Sequence, residues 1–174
     1  GVRRLTRLHV RSVEEVVSLD DDKVFDWPWI YAVEVGHWEL TDAQCKKLRE
    51  YLLRGGFLMV DDFHGGYEWE AFMASLERIF PDRPVVDLAD DDPIFHTVYE
   101  LGERYQVGNF RSLVGRGVPY RGDGVQPYWR TVRDDHGRVT MAINFNSDLG
   151  DSWQLADNPQ YPVKYSDMGI RLGV

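Results

Sequence analysis

The residues best suited to chemistry sit in Val60-Asp61-Asp62-Phe63-His64-Gly65-Gly66, directly after the apolar run Phe57–Val60. Such a run reads as a buried strand entering a polar turn. In open parallel sheets, ligands bind at the carboxyl ends of strands. A carboxylate there can serve as a general base or a ligand-binding group, with a raised pKa if it is desolvated. Alternation along the strand points Asp61 and Asp62 in different directions, so one of them faces a pocket, and Asp62 is the expected one. The structural alternative caps the next helix with one acid and bonds a turn amide with the other. His64, with His37 from the preceding turn, could complete an acid/base or metal site. Zinc needs three or four ligands, however, and Asp-x-x-His supplies too few, so no metal is expected. Turn histidines bonded to backbone are the preferred reading. Glu34 and Glu39 carry a weaker signal.

A second polar cluster joins Asn144, Asn146, Asp148 and Asp151. Carboxamides beside carboxylates suit a sugar or other hydroxyl-rich ligand, and Trp153 could stack on its ring. The same residue types also form self-bonding Asx turns. Spread over a strand and a loop, they do not resemble an EF-hand. Arg111, Arg116, Arg121 and Arg130 could close over an anionic ligand, or pair with surface carboxylates. Trp27, Trp29, Trp38 and Trp69 read as core or rim packing.

The elements that must position these groups alternate between strand and helix. A helix end is expected within 1–11, and strands over 13–19, 30–35, 57–60 and 85–88. Thr41 and Gln44 form a capping box for a helix over 42–54, whose buried face carries Cys45, Leu48, Tyr51 and Leu52. A second helix runs from about Tyr67 to Phe80 and stops at Pro81. Asp92-Pro93 opens a short turn through His96. Glycines, prolines and arginines over 108–127 predict a long loop that covers the site. Strands over 128–132 and 138–145 form a hairpin across Asp134–Gly137, and 146–153 is a second polar turn. The fold class is therefore α/β, a mostly parallel, three-layer sheet flanked by helices with a C-terminal antiparallel hairpin.

At 174 residues the chain suits one α/β domain over 1–174, and its abrupt ends read as truncations. Its 43% hydrophobic and 13% aromatic content excludes a disordered chain. A net charge of −9 without a basic stripe argues against nucleic acid as partner. No apolar run is long enough to span a membrane. The single cysteine, Cys45, makes no internal disulfide, and no cofactor motif is present.

Several blocks carry a resemblance: Arg49-Glu50-Tyr51-Leu52 to Gly65, Trp69 with Phe72, Asp92 to His96, Asn146 to Trp153, and Tyr161-Pro162. In this order they resemble the bacterial domain-of-unknown-function family numbered four-one-five-nine. The resemblance implies a flavodoxin-like fold of the class I glutamine amidotransferase type, and an exported or membrane-tethered setting. It implies no activity. Amidotransferases of this type carry a nucleophilic cysteine in a Gly-x-Cys-x-Gly elbow and a later Phe-His-Pro-Glu strand end. The matching stretches here, Val60–Gly65 and Phe145-Asn146-Ser147-Asp148, hold neither the nucleophile nor the base. The expectation is a non-catalytic module for a small polar molecule or a protein partner. Its ligand-binding residues would be Asp61, Asp62, His64, Asn144, Asn146, Asp148, Asp151 and Trp153. The alternatives are a hydrolase acting on a glycan or ester through Asp62 with His64 or His37, and a purely structural domain.

Overall fold

In a computed structural model, residues 5–6, 8–11 and 13–174 are described. The chain forms β1 (Trp29–Val33), α1 (Asp42–Leu53), β2 (Phe57–Asp61), α2 (Gly65–Ile79), β3 (Val86–Asp87), α3 (Phe110–Arg116), β4 (Tyr128–Thr131), β5 (Met141–Phe145), α4 (Leu149–Gln154) and α5 (Val163–Leu172). It is a mixed α/β structure with one five-stranded sheet in the order β1-β2-β5-β4-β3. β1, β2 and β5 run parallel, with Tyr31 beside Met59 and Val60 beside Ile143. β4 is antiparallel to β5, and β3 to β4.

Side-chain alternation divides the core. Leu58, Val60, Met141 and Ile143 pack with Leu48 and Leu52 of α1 and Phe72 and Leu76 of α2. Met59 and Ala142 point the other way, toward Leu149 of α4 and Tyr165 and Met168 of α5. Helices thus cover both faces, and the three parallel strands end at one rim.

The local signals explain several boundaries. Thr41 Oγ1 accepts from Gln44 N–H, and Gln44 Oε1 accepts from Thr41 N–H, so the capping box starts α1 as expected. Helix α2 begins at Gly65, two residues before its expected start, with Gly65 itself left-handed at a φ of 77° and its N–H donating to Asn146 Oδ1. β1 stops at Val33 rather than Val35, because Glu34 turns left-handed and Val35–His37 form a 3-10 turn.

Four expectations need correction. No strand forms over 13–19 among the described residues: Val16 is 95% exposed, and only Val17 and Leu19 touch the core. The 108–127 segment is not loop throughout, since Asn109 caps Ser112 N–H and starts α3, and Gly117 ends it at a φ of 69°. The 146–153 turn contains the start of α4, with the Asp148 carboxylate accepting from Asp151 N–H as its cap. The strand expected from Arg138 begins at Met141, preceded by an isolated Arg133–Val139 bridge. The helix end expected within 1–11 lies largely outside the described residues.

Candidate functional site

Three neighbouring parallel strands end in the same unusual way. Glu34, Asp62 and Asn146, each the first residue beyond β1, β2 and β5, have φ values of 52°, 51° and 65°. They are the only non-glycine residues with positive φ among the described residues. Such backbone costs about 1–3 kcal/mol and persists where its surroundings over-determine it. Here the surroundings are the turns themselves. Glu34 N–H donates to Asp61 O at 3.2 Å, Asp62 N–H to Ser147 O at 2.9 Å, and Asn146 N–H to Phe63 O at 3.0 Å.

The covering segment is fastened to this rim. Gln106 Nε2 donates to Asn146 O and Gly124 O, and Asn146 Nδ2 donates to Gln126 O. Asn146 Oδ1 accepts from Gly65 N–H at 2.9 Å. The two acidic bends and the covering segment therefore meet, and a cleft of about 610 Å³ opens between them. Glu34, Asp62, Asp148 and Asp151 line it from the strand ends. Asn109, Phe110, Arg111, Ser112, Arg116 and Arg121 line it from the cover, and Gln154 and Leu155 complete it.

Asp61 and Asp62 divide as strand alternation requires. Asp61 is fully buried, accepting from Tyr31 Oη–H at 2.5 Å and from Leu149 N–H at 2.5 Å. Burial pushes its pKa up to about 7 against those two hydrogen bonds. Burial and the adjacent Asp61 push the Tyr31 phenol far above its ordinary value. Asp62 faces the cleft, where its Oδ1 lies 3.0 Å from Arg121 Nη1 and 3.2 Å from His64 Nε2. Arg121 Nη2 also pairs with Glu68 at 3.0 Å.

Asp148 is the other buried acid of the cleft. Its Oδ1 accepts from Asp151 N–H at 2.8 Å and its Oδ2 from Asn109 Nδ2 at 2.9 Å. Burial, reinforced by repulsion from Asp62, pushes its pKa up to about 9. Asp151 accepts from Phe110 N–H at 2.7 Å and ties α3 to α4.

Of the eight residues expected to bind a ligand, Asp62, Asp148 and Asp151 line the cleft and the other five do not, whereas three of the four arginines, Arg111, Arg116 and Arg121, do line it. Asp61 and Asn146 hold the rim together from behind. The His64 ring is sealed against Asp62, and its Nδ1 has no partner among the described residues. Among the described residues the His37 ring reaches only Glu68, at 3.7 Å. Asn144 is buried in β5 with both side-chain polar atoms unpartnered among the described residues. Trp153 does not offer a stacking face to the cleft: its indole N–H donates to Gly169 O, and its ring packs on Tyr31. Arg130 is likewise elsewhere, paired with Asp87 and lying over Trp69 and Tyr128.

Residues 2–174 match the family described as Domain of unknown function (DUF4159). The chain belongs to that family. No curated protein matches it. In this DUF4159 chain, Glu34 was the weakest sequence signal to reach the cleft, and its left-handed backbone has no compositional mark. Asn109 did have one, as the Asn that opens a short helix ended by glycine. Among the described residues no group of three His, Cys, Asp or Glu side chains could hold a metal ion, and no helix is long and apolar enough to cross a membrane. Cys45 is a buried free thiol on α1 and does not line the cleft.

Proposed function

We propose that this DUF4159 chain is a single non-catalytic domain that binds a small polar molecule in the cleft at the carboxyl rim of its sheet. Its parallel core with helices on both faces supports an amidotransferase-like, flavodoxin-like ancestry, in which the elbow position is held by Asp61 and Asp62 rather than a cysteine. The family resemblance suggests a bacterial, envelope-associated setting. The observation that carries the reading is the convergence of Glu34 and Asp62, both on strained backbone, with Asp148 on one cleft of about 610 Å³. Small-molecule sites of this size combine shape with a few convergent polar groups.

A screen of neutral and charged polar metabolites by thermal unfolding tests it. A binder should raise the melting temperature saturably in the wild type. Asp62→Asn, which alters the cleft wall, should weaken that rise. A screen in which no compound stabilises the protein would sink the proposal.

The 3.2 Å contact between His64 Nε2 and Asp62 favours one second reading, a hydrolase of glycans or esters. Asp62 would be its acid/base group, with His64 behind it as a positioning residue. In that case Asp62→Asn should abolish turnover of a cleaved substrate while leaving the melting temperature unchanged.

A further inference from the structure

Every arginine among the described residues makes an ion pair with an acidic side chain except Arg111 and Arg116. Both of these line the cleft. In a chain with 29 acidic and 20 basic residues, two guanidinium groups without an acid partner stand out from chance pairing. Three of the four acids that line the cleft with them are already engaged. Asp62 is held by Arg121, Asp151 accepts from Phe110 N–H, and Asp148 accepts from Asn109 and from Asp151 N–H.

The two arginines differ in freedom. Arg116 is aimed, since its Nη2 donates to Ser112 Oγ at 3.0 Å and to Tyr120 O at 2.9 Å, leaving Nε and Nη1 without partners among the described residues. Arg111 is exposed and makes no hydrogen bond among the described residues. A guanidinium fork matches the paired oxygens of a carboxylate or phosphate. From the strand ends, the one carboxylate of the cleft with no hydrogen-bond or ion-pair partner among the described residues is Glu34, which can accept from a hydroxyl.

We infer that the cleft takes a hydroxyl-bearing small molecule with one oxyanion group, the oxyanion held by Arg111 and Arg116 and a hydroxyl donating to Glu34. This rests on the reading of the cleft as a ligand site and adds the chemical class. Carboxylate and phosphate share the recognition chemistry, so both belong in the test.

The test is amide NMR titration of the whole chain at constant ionic strength, with glucose 6-phosphate, glucuronate, glucose and inorganic phosphate as probes. At least one of the two charged sugars should bind at least ten times more tightly than glucose and shift amides over 109–117. The one that does identifies phosphate or carboxylate as the group recognised. The Arg111→Gln, Arg116→Gln double variant should lose at least tenfold of that affinity. Both side chains are exposed, so its amide spectrum should otherwise match the wild type. Glu34→Gln should weaken the charged sugar but leave inorganic phosphate unchanged. Charged sugars that bind no better than glucose, or equally well to the double variant, would overturn the inference. If glucose itself shifts amides over 148–151 in that event, the cleft remains a ligand site without an anion preference. If no probe shifts either segment, the inference and the binding reading fail together.

Discussion

On the sheet face covered by α1 and α2, Leu58, Val60 and Ile143 meet Leu48, Phe63 and Phe72, and all six side chains are closed to water. On the opposite face the same two strands continue past Met59 and Ala142 to Asp61 and Asn144. One residue beyond the Val60–Ile143 pairing, those two polar side chains stand in adjoining strands beneath α4. Both faces bury their groups completely, yet one buries hydrocarbon and the other buries a carboxyl and a carboxamide. Hydrocarbon burial and polar burial are thus assigned to different sides of one sheet. The apolar face gains from each group removed from water. The polar face carries desolvation costs that show in the raised pKa values of Asp61 and Asp148.

The largest effect is expected on the apolar side. Phe72→Ala should cost about 3–5 kcal/mol in denaturant unfolding, because the ring is fully buried against Phe63 and Trp38. Any surviving folded fraction should bind as the wild type does. A loss below about 1 kcal/mol would mean that the α1–α2 face is not the main source of stability.

The next test sharpens the polar side through pH. Burial and the nearby Asp62 push the folded Asp148 carboxyl up to about 9, well above the ordinary carboxylate range. Between the unfolded and folded values, the folded state keeps a proton that the unfolded state has released. Stability must therefore fall as pH rises, by up to about 1.4 kcal/mol per pH unit for this group. Asp61, near 7, adds to the slope only below that pH. Asp148→Asn should flatten the decline between pH 7 and 9, measured by urea unfolding at each pH. An unchanged slope would place the costly carboxyl elsewhere.

The smallest effect belongs to Asn144. With neither polar atom partnered among the described residues, its replacement by leucine of similar volume removes a desolvation cost. Asn144→Leu should be neutral or stabilising by about 1 kcal/mol in the same assay. A destabilisation of about 2 kcal/mol would reveal that the carboxamide has a hidden partner, and that the polar face is better satisfied than it looks.

How far the sequence anticipated this depended on whether the signal was local. Thr41 with Gln44, Asp92 with Pro93, and the Phe57–Val60 run each bring their own partner within a few residues, and the structure has those features. The convergence of Asp62, Asp148 and Asp151 was expected from strand ends alone. The Val13–Leu19 stretch misled because β-branched residues favour strands only where a neighbour pairs with them, and none does here among the described residues. Helix α3 hid among glycines and arginines although Asn109 and Gly117 mark its ends. Trp153 could not be resolved from spacing, since its partners are Tyr31 and Gly169, far off in the chain. No element was anticipated over Val163–Leu172, where α5 forms behind Pro162.

The left-handed bends at Glu34, Asp62 and Asn146 separate two properties that usually travel together. Glycine at all three would trace the same path without steric penalty, by about 1–3 kcal/mol each. Such a chain would keep its backbone bends and lose its clasps, the Asn146 carboxamide that ties Gly65 and Gln126 to the rim and the Asp62 carboxylate that holds Arg121.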